Sequence, residues 1–257
     1  SQKYGIIARM NPGLIPSPPD SRDFAFGALI EPVSAPVSYQ LDISPIPVVN
    51  QGQQPSCVGQ AGALMQECYE YKDEGILYDF SPRFLYAKAK EIDGYSGEGT
   101  YLRIVLKILQ DHGVCRTSFF PEDPLLSKEE YKDYSRISSS TYEDARYAKI
   151  KAYARVETDK ESLKQALYQS GLVMLAYRGN NESWRLNPIR LVGEATWGHG
   201  VVGFGYNDDG ILIRNSWGSA WGQGGNGLIA WDYKPIEAWT LVDVPGDTMA
   251  KLVLKDG

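Results

Sequence analysis

The chain changes its period near residue 150, and that change limits what it can fold into. From Cys57 to about residue 149 the apolar positions recur at helical intervals: a segment from Cys57 to about Asp73, "SPRFLYAKAKEID" opened by Ser81-Pro82, and "TYLRIVLKILQDHG" closed by Gly113. Ser56 and Thr100 stand where N-caps belong, and Tyr101, Val105, Ile108, Leu109 and His112 share one face. From about 150 the texture is β: "IKAYARVE", "GLVMLAY", "GHGVVGFGY", "ILIRNSW", "NGLIAW" and "AWTLVDV", separated by Gly, Asn and Asp, with one helix, "DKESLKQALYQSG", between the first two. Helices first and strands second predict an α+β chain of two lobes, about 50–149 helical and about 150–257 β-rich. Ahead of them, residues 1–38 are rich in Pro, Gly and Ser and read as an extended segment over the surface of the domain spanning 39–257.

At 257 residues and 43% hydrophobic, the chain can bury a sizeable core. A net charge of −6 supplies no basic field for nucleic acid or an anionic membrane, and neither is expected as a partner. No apolar run is long enough to cross a bilayer, and "SQKYGIIARMNPGLIPSPPD" lacks the apolar core of a signal peptide. The first residue is Ser, which leaves room for a leader already removed. Three cysteines, Cys57, Cys68 and Cys115, make no disulfide framework; on one helix Cys57 and Cys68 stand about 16 Å apart. A soluble protein, with an intracellular setting favoured over an extracellular one, is the expectation.

Cys57 lies in the first turn of its helix, where unpaired N–H groups and the dipole favour thiolate over thiol; Cys68 and Cys115 read as packing residues. Only two histidines could serve it as a base. His112 ends an amphipathic helix and reads as structural, whereas His199 begins "HGVVGFGYNDDGILIRNSWG", a hairpin pattern. With Asn207, Asp208 and Asp209 as a three-residue loop, Val201 falls opposite Asn215 and His199 opposite Trp217. Asn215 is then a diagonal neighbour that can orient the imidazole, and Trp217 can cover the pair. A two-residue loop would put His199 and Asn215 on opposite faces.

"QGQQPSC", "GHGVVGFGY" and "IRNSWGSAWGQGGNG" together resemble the papain family of cysteine peptidases, through Gln51 six residues before Cys57, then His199, Asn215-Ser216-Trp217-Gly218 and Trp221-Gly222. The resemblance implies a papain-like two-lobe fold: a helical N-terminal lobe, a β-barrel-like C-terminal lobe and a cleft between them that takes a peptide or protein. It implies an endopeptidase with Cys57 as nucleophile, His199 as acid and base, Asn215 as its orienter and Gln51 beside the Cys57 N–H as oxyanion donor, with no metal or cofactor. "GYSGEGTY" becomes a candidate cleft wall. Gly99 and Thr100 would fall near the family's paired glycines and Tyr101 and Leu102 near the second substrate pocket; Trp197 would narrow that pocket, and Gly198 and Trp217 complete the substrate-binding set. Where the family commonly has Cys-Gly-Ser-Cys-Trp, this chain has Gln54-Pro55-Ser56-Cys57-Val58, so a nearby disulfide is missing, as in a prokaryotic or viral branch. The N-terminal segment is a candidate inhibitor in cis. Rival readings with the same dyad are a thiol acyltransferase or peptidoglycan amidase, which "NSWG" disfavours, and an inactive binding module, which need not keep all four residues.

Overall fold

The structure, a computed structural model, describes residues 13–242; residues 1–12 of the N-terminal segment and 243–257 of the β-rich part lie outside the described residues. The first lobe is built on α2 (Cys57–Glu74), α3 (Pro82–Ile92) and α4 (Leu102–Asp111), followed by the short α5 (Lys128–Tyr131) and α6 (Ser139–Ala145). Ser81 caps α3 as expected: its side chain accepts from the Phe84 N–H, with Pro82 in the first turn. The other two caps differ. Ser56 makes no cap bond because its Oγ lies with Tyr131 and Gln60, and α4 starts after Tyr101 because the Thr100 backbone is paired elsewhere. Nor is α2 a one-faced helix. Every side chain from Cys57 to Cys68 is buried, since the sheet covers the side that a surface helix would turn to water.

The second lobe is one antiparallel sheet of β2 (Ala152–Val156), β3 (Val173–Gly179), β4 (Trp197–Tyr206), β5 (Gly210–Arg214), β6 (Asn226–Ala230) and β7 (Glu237–Val242), ordered β2-β7-β3-β4-β5-β6. Among the described residues its outer strands β2 and β6 do not pair, so the sheet is unclosed there, unlike the barrel-like closure expected from the resemblance. The helix α7 (Lys160–Ser170) lies between β2 and β3, capped by Asp159. Alternate side chains separate two cores. Met174, Ala176, Val202, Phe204, Trp239 and Leu241 face the helical lobe, while Val173, Leu175, Tyr177, Val201, Ala238 and Val242 join Leu163 and Leu167 of α7.

The N-terminal segment is built into this architecture rather than laid on it. The strand β1 (Tyr39–Gln40) pairs with the end of β4, and the single-turn α1 (Phe26–Leu29) sinks Phe26 into the α7 core. Sequence periodicity misses both because two and four residues are too few to show a period.

The β4–β5 hairpin, on which the position of the histidine depends, reaches the expected end by a different route. Its loop has two residues, Asp208 and Asp209, since the Asn207 N–H bonds to Gly210 O at 3.0 Å and Tyr206 pairs with Ile211. That register alone would send His199 and Asn215 to opposite faces. Phe204 is an extra residue between the pairs Gly203–Ile213 and Gly205–Leu212, and this bulge shifts the register back by one. Val202 then pairs with Arg214, and one residue further Val201 stands across from Asn215. The free carbonyl of Phe204 accepts the Leu41 N–H at 2.8 Å, so the residue after β1 supports the correction.

Candidate active site

His199 and Asn215 meet at 2.7 Å, Nε2 to Oδ1, in full burial. The Ser216 N–H donates to the same Oδ1 at 2.8 Å, which fixes that atom as the acceptor and so requires the His199 Nε2 to carry the hydrogen. Nδ1 is therefore the bare nitrogen, and it is buried with no partner among the described residues. The Trp217 ring stacks on the imidazole at 4.5 Å, and Trp184 meets it edge-on at 5.2 Å. Trp184 stands in the β3–β4 connection, where no sequence period pointed to it.

Cys57 opens α2, and its Sγ receives the backbone N–H of Gly200, the residue after His199, at 3.5 Å. Burial pushes the thiol up to about 12, against the pull of the N–H groups of Gly200, Val58 and Cys57 itself. The helix-start argument predicted the opposite direction. It fails because the side chain is wholly excluded from water, and desolvation outweighs a dipole contribution of about 1 kcal/mol. His199 moves in the complementary sense, down to about 4 through burial, opposed by the Asn215 bond. In this arrangement the pair is neutral. Cys68 and Cys115 are also buried, free and pushed up to about 12, so the resting structure does not set Cys57 apart by acidity.

Gln51 reaches the same place by strand-like pairing: its N–H bonds Ser216 O at 2.8 Å, the Gly218 N–H bonds Val49 O at 2.9 Å, and Asn50 bridges Trp217. Its Oε1 accepts from Ser216 Oγ at 2.6 Å and its Nε2 donates to Gln54 O at 2.8 Å. Gln51 thus bonds the residue after Asn215, Cys57 receives the residue after His199, and His199 pairs with Asn215.

Residues 13–17 lie across the cleft between the lobes. The Leu14 N–H donates to Gly198 O at 3.1 Å, the Ile15 N–H to Thr100 O at 2.9 Å, and the Thr100 N–H to Gly13 O at 2.8 Å. Close approach is what the glycines provide. A side chain at Gly99, whose φ is +87°, would strike Gly13 O, and one at Gly198 would strike Leu14 O. The Leu14 side chain ends beside Gly200 with Leu102 and Val58, in a pocket that the strap fills. Trp197 does not line that pocket. Being two residues from His199, it lies on the same face of β4 as His199 and away from Gly198 and Gly200, packs on Trp184 and Trp217, and bonds Asn181 through Nε1. Tyr101 is a buried helix-entry residue. Farther along the strap, Ser17 bonds the Glu237 carboxylate through N and Oγ, at 3.0 and 2.8 Å, and Arg103 pairs with Asp20 and Asp23.

The wall "GYSGEGTY" is organised by Lys90, whose ammonium reaches Asp93 Oδ2 and the carbonyls of Tyr95, Gly97 and Gly99 at 2.7 to 3.0 Å. Lys90→Met leaves these acceptors without a donor and is expected to cost about 1–3 kcal/mol of stability, read from the midpoint of a denaturant melt. An unchanged midpoint would mean that the loop holds its own shape.

The comparisons with known proteins agree with this fold. A model described as "Papain family cysteine protease" matches residues 41–236. An uncharacterized peptidase C1-like protein, L477, of Acanthamoeba polyphaga mimivirus is 27% identical over 209 residues, which are 73% of this chain and 65% of that protein. The chain therefore spans just under two thirds of the length of its viral relative. Among solved structures, xylellain, a cysteine protease from Xylella fastidiosa, superposes with a TM-score of 0.80 at 25% identity, covering 92% of this chain and 97% of that one. Digestive procathepsin L 3 of Tenebrio molitor larval midgut superposes with a TM-score of 0.71 at 21% identity, covering 93% and 79%. With the family model matching residues 41–236 and a two-lobe α+β fold shared with xylellain, the chain belongs to the papain family of cysteine proteases.

Proposed function

We propose that the chain hydrolyses peptide bonds, with Cys57 as nucleophile and His199 as its base and acid. The observation that carries this reading is the forced tautomer: Asn215 Oδ1 holds the hydrogen on Nε2 and leaves the Nδ1 lone pair bare in a site whose thiol abuts the next residue. Nδ1 takes the thiol proton, sulfur bonds to the peptide carbonyl carbon, and the oxygen becomes an oxyanion. Collapse breaks the C–N bond as His199 returns the proton to the departing amine. Water, deprotonated by the same nitrogen, then cleaves the thioester and restores the thiol. Gln51 and the Cys57 N–H stabilise the oxyanion, and Trp217 shields the imidazole.

Residues 13–17 act as a strap that competes with substrate in cis, ahead of the domain that begins near residue 41. The strap occupies the Leu14 pocket, bonds both lobes and excludes water from the pair it covers, which favours the neutral thiol and imidazole.

Leu14→Asp tests both parts. An ionised carboxylate is costly in an apolar pocket, so the strap should detach. Iodoacetamide labelling of Cys57, followed by peptide mapping, should then accelerate about tenfold or more, as freer access and a more hydrated thiol predict. Labelling of Cys68 and Cys115 should stay slow, and peptide hydrolysis should rise in parallel. Equal labelling of all three cysteines in parent and variant would refute the strap. Preferential labelling of Cys68 or Cys115 with hydrolysis retained would refute the assignment of Cys57.

A further inference from the structure

An oxyanion donor on a side chain is only as good as its aim. Gln51 has two hydrogens on Nε2 and one is committed to Gln54 O, so a single N–H remains to meet substrate. Its direction depends on where Gln54 O is held. The Gln54 backbone N–H returns to Gln51 O at 3.2 Å, closing a small ring, and its side chain leaves that ring for a distant segment. The Gln54 carboxamide is buried, and its Nε2 donates to Leu126 O at 2.7 Å and Pro124 O at 3.2 Å. Turning the amide over would set its oxygen against two carbonyl oxygens, so only one orientation is favourable.

The segment that receives these bonds is itself fixed. Arg83 donates to the carbonyls of Pro121, Glu130 and Tyr131 and lies 4.5 Å over the Phe120 ring, while Ser81 Oγ donates to Phe120 O at 2.6 Å. Residues 120–131 also touch the start of α2 independently. The Tyr131 hydroxyl lies 2.8 Å from both Glu122 carboxylate oxygens and 3.2 Å from Ser56 Oγ, and Gln60 Nε2 donates to Glu122 at 3.1 Å. The loop from Gln51 to Ser56 is held at Gln54 and at Ser56 by one segment.

We infer that residues 120–131 clamp the oxyanion loop, and that Gln54 is the positioning residue through which the clamp sets the aim of the Gln51 amide. This role rests on the peptidase reading above. It stands at the position where the resemblance leads one to expect a cysteine, so the clamp works without a sulfur bridge.

The test is Gln54→Met on the full chain, where an intramolecular strap raises the apparent KM and leaves kcat alone. Misplacing one donor by under 1 Å should lower kcat about tenfold, within the roughly 10²-fold that a displacement of that size can cost. Affinity for a peptide aldehyde, whose hemithioacetal oxygen takes the oxyanion position, should fall by the same factor. Alkylation of Cys57 by iodoacetamide should stay within about twofold of the parent, since no oxyanion forms. In a Gln51→Ala background, Gln54→Met should remove nothing more from kcat. If Gln54→Met does not fold, Tyr131→Phe loosens the other end of the clamp and should show the same dependence on Gln51. A lower melting temperature with kcat and aldehyde affinity unchanged would overturn the positioning role, as would a full loss that persists without Gln51. A parent chain whose turnover does not depend on Cys57 would instead overturn the peptidase reading, and the role with it.

Discussion

Cys57→Ala should abolish peptide hydrolysis, lowering kcat by about 10⁴-fold or more, because the loss of a nucleophile removes the covalent route and leaves only binding and oxyanion stabilisation. The fold should survive. The thiol is buried but small, and its contacts with N–H groups, such as that from Gly200 at 3.5 Å, are weak. A cost of ~1 kcal/mol moves the melting temperature of a chain this size by about 2–4 °C, so calorimetry separates lost chemistry from lost structure. Because Cys68 and Cys115 remain in the variant, it also asks whether another thiol contributes. Activity within about tenfold of the parent would remove Cys57 from the mechanism.

The second large effect belongs to Gln51. Gln51→Ala should lower kcat by about 10² to 10³ with KM nearly unchanged, as expected for a donor whose bond strengthens as the oxyanion forms. Truncation also strands Ser216 Oγ and Gln54 O, at a cost of about 1–3 kcal/mol of stability for each buried group left unmatched. Gln51→Glu separates the two roles. It keeps the acceptor for Ser216 but replaces the donor by negative charge, so kcat should fall at least as far as in the alanine variant. Alkylation of Cys57 should continue in both. If Gln51→Ala keeps kcat within about threefold of the parent, the Cys57 backbone N–H is the main oxyanion donor and Gln51 is a loop residue.

How much of this was legible in the sequence depended on whether a feature repeats. The change of period at residue 150 marked the two lobes, and the strands from Ala152 to Val242 fell on the short apolar runs bounded by Gly, Asn and Asp, because a strand with both faces in cores reads as a continuous apolar run. Single-residue events were not visible. The loop count in the β4–β5 hairpin was one too many, and the Phe204 bulge restored a register that the loop alone would have broken. The pairing of His199 with Asn215 was therefore anticipated for an incomplete reason. Ser56 and Thr100 have good capping side chains, yet Tyr131 claims the Ser56 hydroxyl and residues 13–15 claim the Thr100 backbone.

Electrostatics was the least legible part. A helix start argues for an acidic thiol, but whether that argument prevails depends on water, and the thiol is wholly buried in a fold whose cleft residues 13–17 cross, although their Pro-rich sequence suggested a surface path. Trp184, Gln54 and Lys90 were missed for a related reason. Each acts through partners brought close by the fold, so no local spacing announces them.

The central claim is that Cys57 and His199 cut peptide bonds once the strap yields. Its most direct measurement is cleavage of a diverse peptide library, with products identified by mass spectrometry, using the Leu14→Asp chain and the same chain carrying Cys57→Ala. The account predicts internal peptide bonds cut by the first, none cut by the second, and a transient mass increase on Cys57 equal to the acyl half of a cleaved peptide. Peptides left intact by a chain whose Cys57 alkylates readily, or transferred to added amines without hydrolysis, would contradict it.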